Sequence, residues 1–321
     1  MNLLDKTETP PEITDFFARA TAEVGKVIIG KDEIIKEFLL AIIADGHILI
    51  EDIPGVGKTT LAMALAKVLS LSFKRISFTP DVMPSDITGF NVFNRETSKL
   101  EFREGPVFTN ILLADELNRG MGRSQSALLE AMEERKVTID GITRELPDPF
   151  FVIASQNPPW AVGTAPIPES QLDRFSIRLS VGYPSLEAEE SILKAKHKKS
   201  EIPEINAVIS PEDFTKLRQT AEEVFVDEKI FTYIAELAAA ARSRESLSLG
   251  ISPRASLHLL SLAKVLAMSY GRMFVLPSDI RYFFSACMAH RLVLTPLARA
   301  AGDTPESLAR VILAEVTPPK L

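Results

Sequence analysis

Ile48-Leu49-Ile50-Glu51-Asp52-Ile53-Pro54-Gly55-Val56-Gly57-Lys58-Thr59-Thr60 decides how this 321-residue chain is read. An apolar run, Ile48 to Ile50, stops at a Pro-Gly pair, turns on two glycines and enters the helix-forming run from Leu61 to Leu69. Strand, glycine loop, and helix with Lys-Thr at its start are the context of a phosphate-binding P-loop. Gly55 and Gly57 lack a Cβ, so the backbone can turn its N–H groups inward around an anion. The helix beginning near Lys58 adds unpaired N–H groups and the positive end of its dipole. Lys58 would reach the β- and γ-phosphates of a nucleotide, and Thr59 would offer its hydroxyl to Mg²⁺. The nucleotide contacts expected here are Gly55, Val56, Gly57, Lys58, Thr59 and Thr60. The general spelling of such a loop, G-x-x-x-x-G-K-[ST], has glycine where this chain has Asp52. A carboxylate pointing inward would repel phosphate, so Asp52 is expected to face away.

Further strands flank this one in sequence. Phe73-Lys74-Arg75-Ile76-Ser77-Phe78 reads as a second and Asn110 to Glu116, an apolar run ending in Asp115-Glu116, as a third. Pro149 to Asn157 reads as a fourth, and Phe175 to Ser180, whose alternation suits an edge, as a fifth. Strands separated by helical segments and ending in polar groups predict a parallel five-stranded α/β sheet flanked by helices, with ligands at its carboxyl edge. Two hairpins interrupt it, at about 88–105 and 136–146; the second turns on Asp140-Gly141, where both positions favour positive φ. Taken alone the hairpins are either decoration or loops reaching into a pore or a partner. Helices are expected over about 11–44, interrupted by Val27-Ile28-Ile29-Gly30-Lys31-Asp32, either core packing or, through Ile28 and Ile29, a cover for an adenine ring. From Tyr183 onward strand signals fade and six helical segments follow, with Asp227 and Ser252 as N-caps. The expected division is a nucleotide-binding core over 1–182 and an all-helical domain over 183–321.

Composition narrows the function. No apolar run reaches the roughly 20 residues of a membrane span and the N-terminus is unlike a signal peptide, so a cytoplasmic home is expected. The single cysteine, Cys287, forms no internal disulfide or metal motif and reads as a packed thiol. A net charge of −7 argues against broad nucleic-acid binding. The four histidines show no ligand spacing, and Trp160 reads as a packed aromatic.

Asp115 and Glu116, at a strand end after a P-loop, can divide two roles in ATP hydrolysis: Asp115 serves Mg²⁺, and Glu116 orients or deprotonates the attacking water. Asn157, at the next strand's end, either holds that water or the γ-phosphate, or merely makes a turn. Glu51 to Thr59, Ala114 to Arg119, Gln125 to Met132, Ser155 to Pro158, Ser170 to Phe175 and Ser252 to Ala255 occur in the order seen in MoxR-type AAA+ ATPases, which the chain resembles from about Ile28 to about Leu294. In that family an acid at position 52 looks ordinary. The resemblance implies an AAA+ α/β core with an all-α lid, assembled as a ring, expected to be a hexamer, with ATP or ADP between neighbours. Carried over by position, Lys58 and Thr59 are the Walker A pair, Asp115 and Glu116 the Walker B pair, and Asn157 the sensor-1 asparagine. Arg174 matches the arginine finger that reaches a neighbour's γ-phosphate, with an ion pair to Asp173 or a nearby acid as the alternative. Arg254 matches the sensor-2 arginine that couples the lid to its own nucleotide, with a plain helix-surface arginine as the alternative. Arg119 and Arg123 face either a subunit boundary or solvent. The hairpins match the helix-2 insert and pre-sensor-1 hairpin, which would face the pore. The implied work is chaperone-like remodelling of a protein client, with a von Willebrand factor A domain protein as the expected kind. A helicase-like nucleic-acid motor, a magnesium-chelatase-like metal-insertion motor and a non-hydrolysing scaffold are the rivals.

Overall fold

The computed structural model describes residues 9–53, 55–157, 164–197 and 203–321. Helices α1 (Pro11–Gly25) and α2 (Asp32–Ile43) lead into β1 (Ile48–Glu51), α3 (Lys58–Val68) and β2 (Phe73–Ser77). A short α4 (Pro84–Thr88) precedes the first hairpin, β3 (Gly89–Asn94) with β4 (Lys99–Glu104); then come β5 (Ile111–Asp115) and α5 (Gly122–Glu134). The second hairpin, β6 (Lys136–Ile139) with β7 (Ile142–Glu145), precedes β8 (Phe151–Gln156), α6 (Glu169–Leu172) and β9 (Ile177–Leu179). Five strands form one sheet in the order β2-β5-β8-β1-β9, all parallel, with β9 at an edge as its alternation predicts.

Side chains alternate across a strand, so an apolar run with no polar interruption must be covered on both faces. Ile48, Ile50, Ile111, Leu113, Phe151 and Ile153 join a core with α1, α2 and α3, while Leu49, Leu112, Ala114, Val152 and Ala154 join a second core with α5. Burial on both faces is what lets these strands end abruptly in Asp52, Asp115-Glu116 and Asn157: the apolar side chains fix the strands, and the carboxyl edge is left polar.

The remaining helices are α7 (Leu186–His197), α8 (Pro211–Glu222), α9 (Glu228–Arg242), α10 (Pro253–Ser269), α11 (Pro277–Met288), α12 (Pro296–Ala300) and α13 (Pro305–Glu315). Asp227 and Ser252 cap α9 and α10, accepting from the N–H groups of Lys229 and Ala255. Helix α10 packs on α1 and α2, and α11 on β9, so these helices share the first core. The helical region is not purely helical: β10 (Leu247–Leu249) and β11 (Val293–Leu294) form an antiparallel ribbon. Strands of three and two residues carry no readable periodicity. Burial pushes the Cys287 thiol up to about 11, although Arg291 nearby opposes the shift, in keeping with a packed thiol.

Candidate active site

The P-loop follows β1 at the carboxyl edge of the sheet. Gly55 and Gly57 have φ of 88° and 90°, a left-handed backbone that a Cβ would strain. Gly57 is the N-cap of α3, so the first N–H groups of that helix face the loop. Ile28 flanks it: a Cβ at Gly57 would stand 3.7 Å from the Ile28 Cδ1. Gly30 lies against Ala188, and the Lys31 ammonium donates to the Tyr183 carbonyl at 2.7 Å. The Ile28–Lys31 segment therefore bridges the P-loop and the start of the helical region.

Asp52 does face away. Its carboxylate, only 7% exposed, accepts from the Ser180 hydroxyl at 3.0 Å and from the N–H groups of Val181 and Gly182, tying the loop's entry to the chain leaving β9. The Asp52 carbonyl accepts from Lys58 Nζ at 3.1 Å. Burial lowers the Lys58 pKa, and the negative charges of Asp115, Asp52 and Glu116 oppose that shift. Those charges mark where the third strand's acids sit relative to the lysine.

Asp115 ends β5 and Asn157 follows β8, the strands between which the reacting groups converge. Asp115 accepts from the Ser155 hydroxyl at 2.5 Å and from Arg75 at 2.6 Å. Glu116 takes a left-handed backbone (φ 54°), which turns its side chain out of the strand line. Its carboxylate accepts from Arg119 at 2.6 Å and from the Asn157 side-chain amide at 3.3 Å. Asn118 locks Asn157 in place: its side chain accepts from the Asn157 N–H at 3.1 Å and donates to the Asn157 carbonyl at 2.9 Å. Lys58, Asp115, Glu116 and Asn157 are thus brought together, with Thr59 on the first turn of α3 beside them. Arg123 is exposed at the start of α5.

Two expected residues lie elsewhere. Arg174 lies three residues before β9, and the Ser176 N–H, immediately before that strand, donates to the His47 carbonyl, which immediately precedes β1. Arg174 is therefore at the amino edge of the sheet, opposite the P-loop. Its Nε donates to Glu133 at 2.8 Å, and Arg254, on the first turn of α10, donates to the other oxygen of the same carboxylate. The structure does not bring Arg254 to the nucleotide loop of its own chain, as the sensor-2 expectation requires. Helix α10 packs along α1 and α2, which seats its N-terminus by Ala44, Asp45 and His47, and the fully buried sheet core lies between. The ion pair expected as the alternative for Arg174 does form within the chain, with the nearby acid Glu133 and not with Asp173, which accepts from Arg291 at 2.8 Å and Ser252 at 2.7 Å.

Sequence reasoning missed Arg75, Ser155, Asn118 and Glu133. Asn118 carried a faint signal, falling between Glu116 and the next strand's Asn157. Three of the histidines make structural contacts: His47 bonds the Met132 carbonyl and accepts from the Val152 N–H, His290 bonds the Phe175 carbonyl, and His258 pairs with Arg291. Trp160 lies outside the described residues. The hairpins touch through Asn91 to Asp140 at 2.6 Å and through the Arg144 guanidinium 4.0 Å over the Phe102 ring.

Known proteins resemble this chain in sequence and fold. A family model described as the ATPase family associated with various cellular activities (AAA) matches residues 47–177, and an AAA lid domain model matches residues 239–311. The chain is 44% identical to the uncharacterized protein YeaC of Bacillus subtilis over 96% of each chain. It is 38% identical to the protein named chaperone MoxR1 of Mycobacterium tuberculosis, over 94% of this chain and 82% of that one. A crystal structure of a Cytophaga hutchinsonii protein superposes with a TM-score of 0.89 at 36% identity, covering 96% of both chains.

Proposed function

The chain belongs to the MoxR family of AAA+ ATPases, and on that premise we propose that it is a Mg²⁺-dependent ATP hydrolase working as a ring, hexameric by expectation, to remodel or activate a partner protein. The observation that carries this reading is the division of the reactive groups: Lys58, Asp115, Glu116 and Asn157 meet at one edge of the sheet, and Arg174 and Arg254 meet at the other. A chain in such a ring offers its carboxyl edge to one neighbour and its amino edge to the next.

Phosphoryl transfer to water spreads negative charge over the γ-phosphoryl oxygens, so catalysis is mainly positioning and charge stabilisation. Lys58 and the N–H groups of the P-loop hold the phosphates. Glu116 accepts a proton from the attacking water while Asn157, fixed by Asn118, orients both. Thr59 and Asp115 would hold Mg²⁺, which supplies positive charge at the phosphate oxygens when bound. Both donors are hard oxygens, and no group of three or more His, Cys, Asp or Glu among the described residues competes as a metal site. The remaining coordination falls to phosphate and water. Arg174 and Arg254 serve the neighbour's nucleotide, where guanidinium groups stabilise charge without losing a proton.

Glu116→Gln is expected to bind ATP and assemble, as read by light scattering, while turnover falls at least a hundredfold; undiminished phosphate release would remove Glu116 from its role. Capture with that variant and ATP should retrieve a protein client, with a von Willebrand factor A domain protein as the expected kind. DNA-stimulated ATPase activity would instead favour a nucleic-acid motor.

A further inference from the structure

We infer that Glu133 is a positioning residue of the half-site offered to a neighbour, holding Arg174 and Arg254 side by side so that both reach one γ-phosphoryl group. The inference rests on the proposed ring reading and extends it to a residue outside the P-loop, Walker B and sensor motifs.

Glu133 occupies the last turn of α5, where the helix dipole presents its negative end and an acid is intrinsically unfavourable. Two cations compensate it. Arg174 Nε is 2.8 Å from one carboxylate oxygen, and an Arg254 Nη bonds the other. The two arginines come from chain segments eighty residues apart, one from the loop before β9 and one from the first turn of α10. Those segments are already fixed to each other below the side chains, since Ser252 and the buried Arg291 both donate to Asp173, and Arg291 also bonds the carbonyls of Phe175 and Ser176. Glu133 is therefore not needed to dock the lid on the core. What it adds is the alignment of two like-charged guanidinium groups, which would otherwise repel each other.

The three side chains border an open pocket of about 370 Å³, further lined by Asp45, Arg135, His258 and Ser261. Glu133 stays 35% exposed and Arg254 40%, so the cluster faces outward, where a neighbouring chain can reach it. Burial raises the Glu133 pKa, but the hydrogen bonds from Arg174 and Arg254 outweigh this and leave it below the ordinary glutamate value. The carboxylate thus remains charged throughout the physiological range.

The test uses Glu133→Gln, which keeps the shape and one acceptor but loses the charge. Turnover is expected to fall roughly tenfold or more, as misalignment of a catalytic group does, with KM for ATP within about twofold because the chain's own P-loop is untouched. Glu133→Asp, which keeps the charge one methylene short, should fall between. Mixing Glu133→Gln chains with Glu116→Gln chains should restore activity, since each supplies the half-site the other lacks. Mixing Arg174→Ala with Glu116→Gln is the parallel control. Turnover of Glu133→Gln at or above the unsubstituted rate would overturn the inference. So would loss of turnover without rescue while the Arg174→Ala mixture is rescued, because Glu133 would then act only within its own chain. Rescue in neither mixture would bring down the ring reading itself, and this inference with it.

Discussion

Replacing Asp52 separates two accounts of the same acid. If its charge opposed nucleotide phosphate, Asp52→Asn would tighten ATP binding. The structure makes Asp52 a tie instead: its carboxylate accepts from the Ser180 hydroxyl and from the backbone N–H groups of Val181 and Gly182, at a site only 7% exposed. A carboxylate only accepts, whereas an amide must present an NH₂ toward one of those donors. A buried donor left without a partner costs about 1–3 kcal/mol, so Asp52→Asn should lose about 2 kcal/mol and Asp52→Ala, which strands both N–H groups, about 3 kcal/mol. An unfolding entropy near 2.1 cal/mol/K per residue gives a 321-residue chain about 0.7 kcal/mol/K. The expected fall in apparent Tm is therefore about 3 °C for Asp52→Asn and about 4–5 °C for Asp52→Ala. Thermal melts with and without ATP, and titration with a fluorescent ATP analogue, read both quantities. Asp52→Asn that binds ATP tenfold more tightly and melts within about 1 °C of the unsubstituted protein would refute the tie.

Asn118→Ala should slow hydrolysis with little effect on ATP affinity, because it frees Asn157 while leaving Lys58 and the P-loop intact; a changed Kd with unchanged turnover would contradict that. Ser155→Ala removes the hydroxyl that donates to the Asp115 carboxylate and accepts from the Glu116 N–H group (2.9 Å for the latter), and is expected to raise the Mg²⁺ concentration needed for half-maximal activity, measured by titrating the metal at fixed ATP. Burial depresses the His47 pKa to about 3, with Arg135 adding to the shift. A histidine held neutral when folded but protonated near pH 6.5 when unfolded takes up protons on unfolding, so stability falls with pH between about 6.5 and 3. The loss is about 2 kcal/mol at pH 5 by linkage, and His47→Gln should flatten the slope of Tm against pH.

The carboxyl edge of the sheet was legible because its strands are apolar runs cut off by polar residues. Asp115-Glu116 and Asn157 announce themselves by where the apolar run ends, and Gly55 and Gly57 by the turn they permit. The partners of those residues were not legible. Arg75 sits on an alternating strand and looks like a solvated cation until the β2–β5 register, which pairs Ser77 with Asp115, brings it alongside that acid. Arg119 could face solvent or a neighbour by sequence alone; the left-handed turn at Glu116 brings it back onto the carboxylate. Glu133 lies in an ordinary amphipathic helix, and nothing local shows that two distant arginines end on it. Arg254 was readable by motif but not by location, since its place depends on how α10 packs on α1 and α2.

That packing also says how the two edges of one chain can influence each other. Helix α10 carries Arg254 on its first turn, and its last residues, through Ser269 and Tyr270, lie against α1 and α2, with the Lys36 ammonium 3.9 Å from the centre of the Tyr270 ring. The segment between α1 and α2 supplies Ile28, which flanks Gly57 in the P-loop. A single helix thus connects the turn that carries Arg254 with the wall of the P-loop. Ile28 lies close against the loop glycine, whereas Tyr270 is 56% exposed and borders an open pocket with α1 and α2, so the first contact is the stiffer of the two. Ser252, the N-cap of α10, donates to Asp173, so a displacement carried along α10 would reach Arg254 and Arg174 together. The three charged groups would then answer the chain's own nucleotide as a unit, since Glu133 bonds both arginines.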